Sequence, residues 1–105
     1  LPAFTGLDTH QRAINAGVRL HGCTVHFVTA ELDHGPIIAQ AAIEVSEDDT
    51  AHTLGEKVLT LEHQIYPAAV RWFAEKRLQV TGMRVHIAGC QSRATSLLAP
   101  QPELL

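Results

Sequence analysis

An α/β fold is the architecture this sequence predicts, and two observations carry it. An apolar extended segment, Val25-His26-Phe27-Val28-Thr29, runs into an acidic loop punctuated by Gly35-Pro36, and a second apolar segment follows from Ile37. β-Branched and aromatic residues favour extended backbone while Gly and Pro interrupt it, so Asp33 falls on a loop held between two strands. Beyond Thr50 the period changes: Leu54, Val58, Leu61, Ile65 and Ala69 recur at intervals of four, three, four and four, which is one face of a helix.

The elements follow in chain order. Thr9 to Ala16 reads as a short helix, with Asp8 or Thr9 as N-cap and Gly17 as its stop. Cys23 to Thr29 and Ile37 to Val45 read as strands that neighbour each other in one sheet. Acidic and hydroxyl residues gather over Ser46 to Thr50, and a long amphipathic helix starts near Thr50. Pro67 lies inside it, where the missing N–H and the ring's clash with the preceding turn predict a kink or a break, with Tyr66 to Ala74 continuing as helix. Arg77 to Thr81 and Arg84 to Ile87 flank Gly82-Met83 as a short hairpin. From Gly89 the composition turns to Ser, Ala, Gln and Pro without a period, so residues 1–88 are expected to form the folded unit and residues 89–105 a disordered tail.

Bulk properties narrow the function. The 105 residues allow one small domain, and 46% hydrophobic with 18% charged residues is a globular balance. A formal charge of −3 supplies no basic stripe for nucleic acid, and Trp72 with Arg71 and Lys76 is too sparse for a stacking platform. Cys23 and Cys90 lack paired spacing, which argues against a disulfide framework or a zinc site. No apolar run nears the roughly 18 residues that span a bilayer, and no targeting segment is evident, so a cytoplasmic protein without membrane partners is expected.

Three blocks go further: Leu1-Pro2-Ala3-Phe4-Thr5-Gly6-Leu7-Asp8-Thr9-His10, then His21-Gly22 to Val28 with Leu32-Asp33-His34-Gly35-Pro36-Ile37, then Leu61-Glu62-His63-Gln64-Ile65-Tyr66-Pro67. Over most of Leu1 to Ile87 this chain resembles the phosphoribosylglycinamide formyltransferases, also called glycinamide ribonucleotide transformylases. The resemblance implies the C-terminal half of a Rossmann-like formyltransferase fold: a partial mixed sheet, a long kinked helix and a C-terminal hairpin. The Gly-rich phosphate loop and the Asn-x-His-Pro-Ser motif of the family's N-terminal half are absent from the sequence. A fragment that needs its missing N-terminal half as partner, and is inactive alone, is the expectation.

The same resemblance implies roles for particular residues. In that family the amine of glycinamide ribonucleotide attacks the formyl carbon of the cosubstrate 10-formyltetrahydrofolate, and Asp33 matches the carboxylate that pairs with a catalytic histidine of the missing half. Its bland reading is a turn-forming Asp before Gly-Pro. Val28, Thr29 and the backbone up to Asp33 match the folate-contacting loop, although the Thr29 hydroxyl can equally bond its own main chain. Glu62 matches the carboxylate that binds the ribonucleotide; without the resemblance it reads as a solvated helical Glu. His26 is read as a supporting residue behind the site, against the commoner fate of a hydrogen-bonded structural His. His21, Cys23 and His26 are all zinc-binding types, but strand alternation puts His26 on the face opposite the other two, so no metal is expected. His34 receives no role. The alternatives are the related formyltetrahydrofolate deformylase, a hydrolase, and a non-catalytic folate-binding remnant. Glu62-His63 and Ile65-Tyr66-Pro67 favour the transferase, because a ribonucleotide acceptor needs its own site and water does not.

Overall fold

A computed structural model of the chain describes residues 7–28, 35–93 and 95–103. Its elements are α1 (Leu7–Ala16), β1 (Leu20–His26), β2 (Ile37–Glu44), α2 (Ala51–Ala74), β3 (Leu78–Thr81) and β4 (Arg84–Ile87), the α/β order expected. β1 pairs antiparallel with β2, and β3 with β4, as two separate two-stranded ladders. α2 lies against β1 and β2, α1 packs on α2, and β4 touches β2.

α1 opens two residues before Thr9, so Asp8 sits in the first turn, where the helix dipole favours an anion, and pairs with Arg12 at 3.2 Å. Gly17 stops it as expected. With φ at +73° it donates to the Ile14 carbonyl at 3.0 Å, and Val18 donates to the Ala13 carbonyl at 3.4 Å, the two-bond ending that needs a left-handed residue. α1 comes close to α2 at Gly55, where a Cβ would lie 3.1 Å from the His10 ring. His10 meets His21 of β1 edge to face, with His10 Nδ1 and His21 Nε2 3.2 Å apart. Partial burial, and then the neighbouring imidazole, hold the His21 pKa below the ordinary histidine range.

β1 starts at Leu20, three residues before the expected Cys23, and ends at His26, short of Thr29. Gly22, just outside the expected strand, lies within β1, where the backbones close: a Cβ would collide with the Ala41 carbonyl. The register steps from Val25↔Ala39 to His26↔Ile37, leaving Ile38 as a bulge residue.

α2 is capped by a reciprocal pair. Thr53 N–H donates to Thr50 Oγ1 at 3.2 Å, and Thr50 N–H donates to Thr53 Oγ1 at 2.8 Å. Behind it, Asp49 Oδ2 accepts from Lys57 Nζ at 2.7 Å and Ser46 N–H at 2.8 Å, while Oδ1 accepts from Thr53 Oγ1 at 2.8 Å. These bonds, with that from Lys57 foremost, hold the Asp49 carboxyl below its ordinary range. The expected break at Pro67 does not occur: the helix runs unbroken from Ala51 to Ala74. Pro67 is exposed, so the one bond it forfeits, to the His63 carbonyl, is lost on an open side of the helix.

The helix ends with Lys76 at φ +60°, Lys76 N–H donating to the Phe73 carbonyl at 3.0 Å and Arg77 N–H to the Trp72 carbonyl at 2.9 Å. Leu54, Val58 and Ala69 are buried, and Leu61 and Ile65 half-buried, as the stripe predicts. Phe73, one turn beyond Ala69, is 65% exposed and meets the Phe27 ring, centroid to centroid at 6.4 Å. A 24-residue helix is about 36 Å long and the eight-residue β2 only about 26 Å, so the ladder is too short to cover the whole helix.

β3 and β4 turn at Gly82, whose φ of +62° comes first in the turn while Met83 keeps a negative φ, the sign pattern of the II′ hairpin. Arg77 closes the base: its carbonyl accepts from Ala88 N–H at 2.8 Å and its Nε donates to the Ala88 carbonyl at 2.9 Å. The described residues from 90 to 103 form neither helix nor strand.

Candidate active site

The loop read as catalytic springs from a tightly bonded base. Phe27 N–H donates to the Pro36 carbonyl at 2.9 Å, and Gly35 N–H donates to the Phe27 carbonyl at 2.7 Å. Gly35 and Pro36 are buried, so the sequence's loop punctuation also packs. His26 braces the same point, its Nδ1–H donating to the Phe27 carbonyl at 2.9 Å, which fixes the tautomer at that nitrogen. Val28, at the foot of the loop, is 80% exposed. Thr29, Asp33 and His34 lie outside the described residues.

A cleft of about 580 Å³ opens between β1 and α2. Cys23, Thr24 and Val25 form the strand wall, while Leu59, Glu62 and Tyr66 stand on the helix wall beside His63 and Pro67. The walls are mainly apolar, and Glu62 places a carboxylate among them. Partial burial, and then the Glu62 charge, push the Cys23 thiol above its ordinary range. That thiol is therefore held protonated and is a poor nucleophile. A carboxylate on a mainly apolar wall suits a donor-rich ligand, such as an amine or a sugar hydroxyl.

Of the residues singled out in the sequence, the fold brings Glu62 up to β1 and sets His26 at the base of the Asp33 loop. Cys23, His63 and Tyr66 share the cleft but carried no sequence assignment there. A signal existed: Leu59, Glu62, His63 and Tyr66 follow the i, i+3, i+4, i+7 spacing, a second stripe beside the core stripe. Among the described residues no three His, Cys, Asp or Glu side chains converge as a metal site requires. No described helix is long and apolar enough to cross a membrane.

Comparison with known proteins places the chain in a family. The formyl transferase family model matches residues 1–70. The phosphoribosylglycinamide formyltransferase of Escherichia coli is 46% identical over 80 residues, covering 76% of this chain and 38% of that protein. The crystal structure of glycinamide ribonucleotide transformylase 1 from Symbiobacterium toebii superposes with a TM-score of 0.71 at 55% identity, over 83% of this chain and 41% of that one. The formyltetrahydrofolate deformylase of Bacillus subtilis is 42% identical over 80 residues, or 76% of this chain and 27% of that protein. The chain thus spans well under half the length of these relatives. With a family match across residues 1–70 and a shared fold at high identity, the chain belongs to the formyl transferase family.

Proposed function

We propose that this chain supplies part of the site of a phosphoribosylglycinamide formyltransferase, a one-carbon transferase of purine biosynthesis. The carrying observation is the Glu62 carboxylate standing in the cleft beside β1, within the block Glu62-His63-Gln64-Ile65-Tyr66-Pro67. Glu62 binds glycinamide ribonucleotide. Val28, Thr29 and the backbone up to Asp33 hold the folate of 10-formyltetrahydrofolate, and His26 supports that loop from its base.

In the reaction the amine attacks the formyl carbon, forming the new C–N bond and a tetrahedral oxyanion. The resulting ammonium loses a proton, the oxyanion collapses, and the folate nitrogen leaves with a proton. Asp33 pairs with an imidazole from the N-terminal half of the formyltransferase fold, stabilising its charged form and raising its pKa. Proton transfers complete this sequence, so no step calls for a metal. The enzyme works in the cytoplasm on small-molecule substrates, and the unit that carries the site is residues 1–88, with 89–105 as a tail.

The test joins this chain to the N-terminal half of the Escherichia coli relative and follows formyl transfer. The chain alone should show negligible turnover. In the joined enzyme, Glu62→Gln should raise KM for glycinamide ribonucleotide about tenfold and leave KM for the folate nearly unchanged, the mark of lost substrate binding. Asp33→Asn should lower kcat about 100-fold or more, the usual scale for a disabled proton transfer. Formate release without the ribonucleotide would instead identify a deformylase, and folate binding with neither activity a remnant.

A further inference from the structure

Charge is divided unevenly along this chain. Ten of its 11 acidic residues lie between Asp8 and Glu75, whereas residues 76–102 carry Lys76, Arg77, Arg84 and Arg93 and no Asp or Glu. The net charge of −3 therefore conceals a cationic C-terminal stretch. Arg77 is already engaged, its Nη1 donating to Glu75 Oε1 at 3.1 Å and its Nε to the Ala88 carbonyl at 2.9 Å. Arg84 and His86 make no ion pair or side-chain hydrogen bond with the other described residues.

The hairpin turns these two groups to one side. Arg84 and His86 are two apart on β4, so their side chains leave the same face about 7 Å apart. Thr81 pairs directly with Arg84 across the ladder and adds a hydroxyl on that face. A second wall comes from the chain beyond Gly89. With φ at +82° Gly89 turns the backbone back, and Cys90 N–H donates to the Ile87 carbonyl at 3.2 Å, which holds Gln91 and Ser92 alongside β4. Between the walls is a groove of about 500 Å³ that shares no lining residue with the β1–α2 cleft.

Thr81, Arg84, His86, Gln91 and Ser92 can all donate hydrogen bonds into this groove, and no described carboxylate lines it. Such a groove repels cations and suits an oxyanion. The donors come from β3, β4 and the segment after Gly89, so they approach from three directions, which matches a tetrahedral phosphate better than a planar carboxylate. A nucleic acid strand is the poorer match, because residues 76–102 contain no Phe, Tyr or Trp on which bases could stack.

We propose that the groove between β4 and the segment after Gly89 is a binding site for a phosphate group, free or as the monoester of a small molecule. Arg84 supplies the permanent charge and a forked pair of hydrogen bonds, while Thr81, His86, Gln91 and Ser92 take the remaining oxygens. The volume exceeds what a bare phosphate fills and leaves room for the rest of a monoester. The site stands on its own residues and does not depend on the activity assigned to the β1–α2 cleft.

The test titrates the isotope-labelled chain with inorganic phosphate, glycerol 3-phosphate and acetate at matched ionic strength and follows the amide shifts by NMR. Both phosphates should give saturable shifts at His86, Gln91 and Ser92, with affinities about tenfold or more above that of acetate. Tighter binding of glycerol 3-phosphate identifies a monoester site and equal binding a site for the free ion, and either result supports the proposal. Arg84→Gln should weaken phosphate binding about fivefold or more and Ser92→Ala about twofold, whereas Arg71→Gln on α2 should leave it unchanged. All three positions are exposed, so the circular dichroism of each variant should match the parent's; were Arg84→Gln to unfold, Ser92→Ala still carries the test. Shifts that never saturate, acetate binding as tight as phosphate, or an effect of Arg71→Gln as large as that of Arg84→Gln would each overturn the proposal. So would tighter binding of a short uridine oligonucleotide than of either phosphate, since the cationic stretch would then serve a nucleic acid.

Discussion

The two stripes of α2 differ in what they do with apolar side chains. Leu54, Val58 and Ala69 are buried against the rest of the chain, while one stripe over, Leu59 and Tyr66 are 48% and 61% exposed along the β1 cleft beside Glu62. Both stripes have helical spacing and both hold large apolar residues. What separates them is whether this chain supplies a covering surface. An apolar stripe at helical spacing therefore does not by itself say whether the chain buries it.

That contrast can be broken hardest at Leu54, which is fully buried. Leu54→Ala should destabilise the chain by about 2–5 kcal/mol, seen as a large fall in the urea midpoint. A loss below about 1 kcal/mol would mean that the buried stripe is no better covered than the cleft stripe. Next comes the start of the helix that both stripes share. Asp49→Asn should cost about 1 kcal/mol, because the pair with Lys57 is partly solvent-screened but the hydroxyl and backbone bonds are also weakened. The sign with pH follows from the depressed Asp49 pKa: the native state holds the proton less readily than the unfolded chain. Its stabilisation is present above about pH 4, the unfolded value, and is lost as pH falls through the lower folded value. Thermal melts between pH 6 and 2 should converge for the parent and Asp49→Asn at the acid end.

Smaller still is the helix end. Lys76→Gly should stabilise by about 0.5–1 kcal/mol, since a left-handed backbone is strained for lysine and not for glycine. The smallest effect is expected at Leu59. Leu59→Gln should shift the stability of the isolated chain within about 0.5 kcal/mol, as exposed substitutions do. A cost approaching that of Leu54→Ala would show that the cleft stripe is already covered.

The two helix ends show how legibility depends on residue type. α1 and α2 finish with the same pair of backbone bonds, but the left-handed position is Gly17 in one and Lys76 in the other. Glycine there has no steric cost and could be read in advance; lysine carries no such mark. Gly22 carried no mark of its role either, because its use as a close-approach residue inside β1 depends on where the Ala41 carbonyl lies. Pro67 predicted a kink or a break, and the break does not occur, since one lost hydrogen bond on the open side does not interrupt a 24-residue helix. The Glu62 assignment came from its motif. Tyr66 joins it by helical spacing, whereas its company of Cys23 needed β1 to be laid against α2.

By itself the sequence determined the element types, the capped start of α2, the core stripe and the family, since each is written in local spacing, turn chemistry or motif. Only the tertiary structure decided which side of α2 opens on the β1 cleft, which glycines permit close approach, and which strand β1 pairs with among the described residues. Those outcomes depend on contacts between segments far apart in the chain, and local residue preferences do not contain the geometry of such contacts.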